Sequence, residues 1–295
     1  MRIAYIGVGQ MGAAMALCLQ RAGFDVVGFD VSAASRDTAA ADGLTVTGNL
    51  AEAVAGADFL LSSLPNSAIV REAWLGEAGI LACNPKPGAV CIDFSTVDAQ
   101  TMVALGEACR ARGLGVIDAP VSGGPKEAAD GTLVLLLGGS EADLARAKPL
   151  FDALGSTQLP TGDVGTAKTV KLVNNVMSMG NVLIAAEAFA MGEAAGVDSQ
   201  VLFDTLSQSG GRSHHLLKRW PNALKSNWDP GFKMELGEKD VALAVDFARS
   251  IQQPMPIASL VREMMTMALA GGYAGHDVVA ALDMYRKMNR REGRN

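Results

Sequence analysis

The chain has 295 residues, 49% of them hydrophobic, 19% charged and 5% aromatic, with a formal net charge of −6. That length allows two domains or one large one, and the acidic balance excludes the basic footprint of a nucleic-acid binder. No apolar run reaches the roughly 18 residues of a membrane span, so neither nucleic acid nor membrane is expected as a partner. Cys18, Cys83, Cys91 and Cys109 form no C-x-x-C pair and only three histidines occur, so no metal site is expected. Apolar neighbours make the cysteines read as buried free thiols of a reducing compartment. The N-terminus "MRIAYIGVG" is too short an apolar run for a signal segment, and a cytoplasmic protein is expected. The basic run "RKMNRREGR" (286–294) reads as a solvated chain end.

In chain order, the strand candidates are 2–7, 25–30, 44–47, 58–64, 89–94, 115–120 and 132–139. Alanine-rich helical stretches such as "QMGAAMALCLQRAG" and "AQTMVALGEACRARG" lie between them and end in glycine, a usual helix stop. The strands are near-continuous apolar runs, as expected where helices cover both faces of a parallel sheet. Beyond about residue 163 the strand signals vanish, and helices are expected over 164–195, 198–208, 213–225, 232–252, 256–270 and 275–290. The reading is α/β: a doubly wound, mostly parallel N-terminal domain (1–162) and an all-helical C-terminal domain (163–295), joined by a long helix.

"GVGQMG" (Gly7, Val8, Gly9, Gln10, Met11, Gly12) follows the first strand and opens a helix. In a dinucleotide-binding loop of the Rossmann type, the first glycine permits the tight turn. The second lets backbone approach a pyrophosphate, and the third allows close helix packing. Asp30 closes the second strand, where a carboxylate accepts hydrogen bonds from an adenosine ribose and repels a 2′-phosphate. The expectation is NAD, with NADP as the alternative because Arg36 follows shortly and partly offsets that repulsion.

Three further turns follow strand ends, where ligands sit in open α/β sheets. "SLPN" (63–66), with Leu64 and Pro65, is either a helix start or a cofactor contact. In "STVDAQ" (95–100), Ser95 and Thr96 either cap the next helix or touch the nicotinamide end. "DAPVSGG" (118–124) offers the Ser122 hydroxyl and the Gly123 and Gly124 amides as a cradle for a substrate carboxylate, or is an ordinary loop.

"GTAKTVKLVNN" (165–175) carries two lysines and two asparagines on an apolar helix. With Lys171 at zero and about 100° per residue, Asn175 falls near ~40°, Ser178 near ~−20°, Lys168 near ~60° and Asn174 near ~−60°. Val170, Leu172, Val173, Val176 and Met177 take the other side. A polar stripe this short on a mostly buried helix suggests a cleft wall, the other reading being a surface lysine face with ordinary solvation. A desolvated lysine there suits proton exchange near neutrality, and an amide one turn away holds a hydroxyl or carbonyl.

These pieces, in this order and over essentially the whole chain, resemble the β-hydroxyacid dehydrogenase family. The matching motifs are "GVGQMGAAMALCLQRAG", "DAPVSGG", "VGTAKTVKLVNN" and the Lys-Asp pair of "KDVALA" (239–244). The resemblance implies reversible hydride transfer between NAD(P) and a short 3-hydroxy acid, a small-molecule carboxylate of the 3-hydroxyisobutyrate kind. It implies Lys171 as the acid–base residue, Asn175 as its partner on the substrate oxygen, and Ser122, Gly123 and Gly124 around the carboxylate. Thr96 would lie by the nicotinamide, and Lys239 would close the cleft from the helical domain, reaching substrate and cofactor. Ala99 and Val241 stand where the family often has proline and leucine. "GGRSHH" (210–215) is less familiar; Arg212, His214 and His215 either set substrate choice or form a loop and helix start. An NADPH-dependent semialdehyde or imine reductase and a non-catalytic nucleotide-binding protein are the rival readings; Lys171 argues against the imine reductase. Alanine- and methionine-rich helical faces suggest a homodimer or homotetramer.

Overall fold

The computed structural model describes residues 1–288; the end of the helix expected over 275–290, and the part of "RKMNRREGR" after Met288, lie outside the described residues. The chain divides into two compact units, Met1–Lys171 and Leu172–Asn295.

The first unit opens with β1 (Arg2–Ile6), α1 (Gln10–Arg21), β2 (Asp25–Phe29), α2 (Ala33–Ala41), β3 (Val46–Thr47), α3 (Leu50–Val54), β4 (Phe59–Ser62) and α4 (Ser67–Leu75). It continues through β5 (Val90–Asp93), α5 (Ala99–Arg110), β6 (Gly115–Asp118), β7 (Val121–Ser122) and α6 (Pro125–Asp130). Then come β8 (Leu133–Gly139), α7 (Glu141–Leu154), β9 (Gly155–Gly162) and the start of α8 (Thr166–Ala194). The sheet order is β3-β2-β1-β4-β5-β6-β8-β7, with β9 also on β8. From β3 to β6 every pairing is parallel. β8 is antiparallel to β6 and β7 and parallel to β9.

The unbroken apolar runs have a direct cause in this sheet. Successive side chains alternate faces: Ile3 and Tyr5 of β1 enter one core with Met15, Leu19, Ile92 and Phe151, whereas Ala4 and Ile6 enter the other with Leu60, Trp74, Cys91 and Met102. Each large side chain so buried contributes roughly 1.5–3 kcal/mol. All four cysteines are free; Cys83 is part-exposed and the other three are buried. The Cys91 thiol is pushed up by its hydrogen bond with Cys109 and by burial.

Two strands escape the sequence reading. β9, "GSTQLPTG", is largely exposed and held by its ladder to β8 instead of by an apolar face, so it carries no hydrophobic signal. β7 is two residues long. The expected strand over 44–47 shortens to Val46–Thr47, and 58–64 ends at Ser62. Asn66 then N-caps α4 by accepting from the Ile69 amide. Asp98, not Ser95 or Thr96, caps α5 by accepting from the Thr101 amide.

In the second unit, α8 is followed by α9 (Ser199–Leu206), α10 (His214–Ala223), α11 (Met234–Ser250), α12 (Pro256–Ala270) and α13 (Ala281–Met288). Side-chain caps from Asp198 and Ser213 start α9 and α10. The single helix expected from 275 is instead a 3₁₀ turn, Val278–Ala280, leading into α13, because the Asp277 carboxylate caps the Val279 amide. The core gathers Met179, Val182, Phe189, Trp220, Met234, Val245, Met265 and Leu282, with the Phe189 and Trp220 rings 5.5 Å apart. α8 departs from expectation on its apolar side: Val173 is 55% exposed, Met177 63%, Ile184 62% and Met191 71%. Among the described residues, no helix is long and apolar enough to cross a membrane.

Candidate functional site

The parallel strands deliver their carboxyl ends to one edge of the sheet, and the first is the glycine loop. Gly7 has φ +88°, a conformation that disfavours side chains, and a Cβ on Gly12 would overlap the Gly7 carbonyl oxygen. Gly9 has nothing within 4 Å of where a Cβ would stand. Gly9 N-caps α1 with no side-chain cap and no acidic residue in the first turn. The amides that start α1 therefore keep their capacity for an anion, the local feature a pyrophosphate needs. Val8 is buried, Gln10 exposed and Met11 packed against the core.

Asp30 stands just past β2. Its Oδ2 accepts from the Val8 amide at 3.0 Å and its Oδ1 from the Ser32 amide at 2.9 Å. The carboxylate is thus tied to the glycine loop and keeps lone pairs for ribose hydroxyls. Arg36 is drawn onto backbone, donating from Nη1 to the Asp30 and Val31 carbonyls at 2.6 and 3.3 Å. These features fit an NAD(P)-type dinucleotide.

The turns after β4 and β5 are locked to each other. The Leu64 amide donates to Ser95 Oγ at 2.8 Å, and Ser95 Oγ donates to Asp93 Oδ2 at 2.8 Å. Ser62 Oγ donates to the same Asp93 oxygen at 2.5 Å and accepts from Trp74 Nε1 at 2.9 Å. Pro65 is exposed and Thr96 half-buried beside these anchors. After β6, Ser122 ends the short β7, Gly123 follows, and the Gly124 amide donates to Glu127 Oε2 at 2.8 Å. Of the expected carboxylate cradle, the Gly124 amide is committed to a side chain in the first turn of α6, the helix that Gly124 N-caps.

Helix α8 carries the polar stripe, yet its lysines part company. Lys168 is fully buried, with its Nζ 2.7 Å from Asp93 Oδ1, 2.8 Å from the Asp93 carbonyl and 2.6 Å from the Ser95 carbonyl. Its own amide donates to Asp118 Oδ2 at 2.9 Å, and burial pushes the Asp118 carboxyl up against the pull of the Lys168 charge. Lys171, one turn on, is half-buried. Asp93 and Asp118 are the residues the sequence reading missed. Their signal was an acid closing each of two otherwise apolar strands, "AVCID" and "GVID".

In the second unit, buried Asn175 donates from Nδ2 to Asp240 Oδ2 at 2.6 Å, and its Oδ1 accepts from Asn174 Nδ2 at 3.1 Å. Lys239 Nζ lies 3.0 Å from Asp240 Oδ1. The Lys-Asp pair of α11 and the asparagine pair of α8 are thus brought together. Arg212 and His214 are exposed around the start of α10. His215 Nδ1 accepts from Arg219 Nε at 3.2 Å.

The His215 imidazole is held down to about 4, first by burial and then by the charges of Arg219, His214 and Lys218, with Asp277 opposing. The unfolded chain takes up this proton near the ordinary value of about 6.5, and the folded chain does so only near 4. The contribution to stability is therefore complete above pH 6.5 and lost as pH falls toward 4. The melting temperature should fall between pH 6.5 and 5, and His215→Gln should make that slope shallower; equal slopes would rule out the neutral imidazole.

Two family profiles match the chain. One, the NAD-binding domain of 6-phosphogluconate dehydrogenase, covers residues 2–177. The other, described as NAD-binding of NADP-dependent 3-hydroxyisobutyrate dehydrogenase, covers residues 165–285. The chain is 31% identical over 289 residues to 2-(hydroxymethyl)glutarate dehydrogenase of Eubacterium barkeri, covering 97% of this chain and 95% of that protein. It is 34% identical over 285 residues to 3-sulfolactaldehyde reductase of Escherichia coli, covering 96% and 95%. The structure of Mycobacterium tuberculosis 3-hydroxyisobutyrate dehydrogenase with L-serine superposes with a TM-score of 0.89 at 30% identity, covering 97% of this chain and 100% of that one. With a glycine loop tied to Asp30 and these full-length matches, the chain belongs to the β-hydroxyacid dehydrogenase family of NAD(P)-dependent oxidoreductases.

Proposed function

We propose that the protein is an NAD-dependent dehydrogenase of a short 3-hydroxy acid, oxidising a primary alcohol to an aldehyde reversibly, in the manner of 3-hydroxyisobutyrate dehydrogenase. The observation that carries this reading is the buried amide of Asn175, one helical turn from Lys171. Its Nδ2 is committed to Asp240 and its Oδ1 to Asn174, so its orientation is set before any substrate arrives. An amide held this way needs no reorganisation to meet a substrate oxygen.

In this reading the bound nicotinamide supplies the hydride acceptor, and the protein's groups do the rest. The α1 amides and Asp30 hold the dinucleotide, with Leu64, Pro65, Thr96 and Lys239 as further contacts. Ser122, Gly123 and Gly124 hold the substrate carboxylate, and Lys239 contributes a cation for it. The Gly124 amide does so only by exchanging its bond to Glu127. Lys171 takes the hydroxyl proton in oxidation and returns it in reduction. Asn175 holds the reacting oxygen so that the proton passes along a hydrogen bond. Preference for NAD rests on the Asp30 carboxylate and on Arg36 being drawn onto backbone carbonyls. Semialdehyde reduction with NADPH is the second reading; the similarity to 3-sulfolactaldehyde reductase of Escherichia coli favours aldehyde reduction, and the match to a profile described for an NADP-dependent enzyme favours that cofactor. A cytoplasmic location is part of the proposal.

The protein is further proposed to be a homodimer or homotetramer. In the second unit, α8 exposes Val173, Met177, Ile184 and Met191, and α12 exposes Ile257, Leu260 and Met267. Both sets recur at helical spacing, and exposed apolar patches of this kind mark interaction sites.

Three outcomes are expected. Lys171→Ala should lose about 10²-fold or more of turnover on a panel of hydroxy acids while NAD affinity stays within about twofold; near-parental rates refute the proton-transfer role. Asp30→Ala should raise the KM for NAD and narrow its advantage over NADP, and unchanged cofactor kinetics would remove the ribose contact. Met177→Glu with Ile184→Glu should reduce the sedimenting species to monomer; an unchanged oligomer would exclude this face.

A further inference from the structure

A lysine with no exposed surface, in the first turn of a long helix, calls for an explanation. Removing an ammonium from water is unfavourable, and a methionine fills the same space without that cost. Stability alone therefore does not account for it. What the charge does is visible in its acceptors. Two are the carbonyls of Asp93 and Ser95, which flank Phe94, and the third is Asp93 Oδ1. All three ammonium hydrogens are used.

The Ser95 carbonyl belongs to the same planar peptide group as the Thr96 amide. Gripping that oxygen fixes the plane from which Thr96 continues. Asp93 in turn accepts from Ser62, from the Ser95 amide and hydroxyl, and from Lys168. Ser95 Oγ accepts from Leu64. The Lys168 amide is itself anchored on Asp118. The Lys168 side chain thereby couples the ends of β4 and β5 to the helix that presents Lys171 three residues later, while its backbone amide couples the end of β6.

We propose that Lys168 is a positioning residue, whose buried ammonium sets the Ser95–Thr96 peptide at the nicotinamide end of the cofactor site and fixes the first turn of α8 relative to it. This rests on the reading of Thr96 and Lys171 given above. In the adenosine half of the site, the Asp30 carboxylate is bonded to the Val8 and Ser32 amides, outside the set of side chains that Lys168 and Asp93 join. The two halves of the cofactor therefore respond differently when Lys168 is lost.

The test compares ADP-ribose with NADH by calorimetry in the parent protein and in Lys168→Met. ADP-ribose affinity should stay within about twofold, and the NADH to ADP-ribose affinity ratio should fall at least fivefold. Turnover should fall at least tenfold while the KM for the hydroxy acid changes less than threefold. Lys168→Met with Asp93→Asn, which removes both members of the buried Lys168–Asp93 ion pair, should show the same shift in ratio and decides the matter if the single variant fails to fold by circular dichroism. An unchanged ratio, or equal weakening of both nucleotides, overturns the proposal and makes the pair a general structural one. A parent protein that binds NADH yet turns over no hydroxy acid defeats the proposed function, while the affinity ratio still tests Lys168.

Discussion

Parallel pairing from β3 through β6 is the constraint on which the rest of the structure depends. Strands that run the same way end on the same edge, so sequence stretches far apart are delivered to one line. The glycine loop follows β1, Asp30 follows β2, Leu64 and Pro65 follow β4, Thr96 follows β5 and Ser122 lies just past β6. The same pairing demands covered faces, which the apolar strands and the two cores on either side of the sheet supply.

On that edge the organising group is the carboxylate of Asp93. A fully buried carboxylate is strongly disfavoured unless its lone pairs are matched, and here two serine hydroxyls, a backbone amide and an ammonium match them. Satisfied buried networks rigidify what they join. In this case they join the turns after β4 and β5 to α8. On the proposed function, in which Thr96 lies by the nicotinamide, rigidity at these turns serves a hydride transfer whose geometry tolerates little displacement.

The second unit solves a comparable problem with amides. Asn175 and Asp240 come from different helices and are both buried, and each satisfies part of the other. The Lys-Asp sequence on α11 gains meaning here: its aspartate is directed at the asparagine of α8, while its lysine stays half-exposed beside it.

Much of this was legible in the amino-acid order. The glycine spacing, the acid ending the second strand and the change from alternating elements to helices are local patterns, and local sterics and periodicity are enough to read them. So was the polar stripe of α8, because a wheel needs only one helix. The wheel could not tell that Lys168 is sealed against Asp93, 75 residues away, while Lys171 is half-open, nor that Gly124 spends its amide on Glu127. β9 was invisible because its order comes from a ladder, not from apolar side chains. Residue type and spacing thus determined which groups were available and on which face of an element they stand. Only tertiary packing decided which of them were desolvated and to whom they were bonded, because burial and hydrogen-bond partners depend on segments that meet in space and not along the chain.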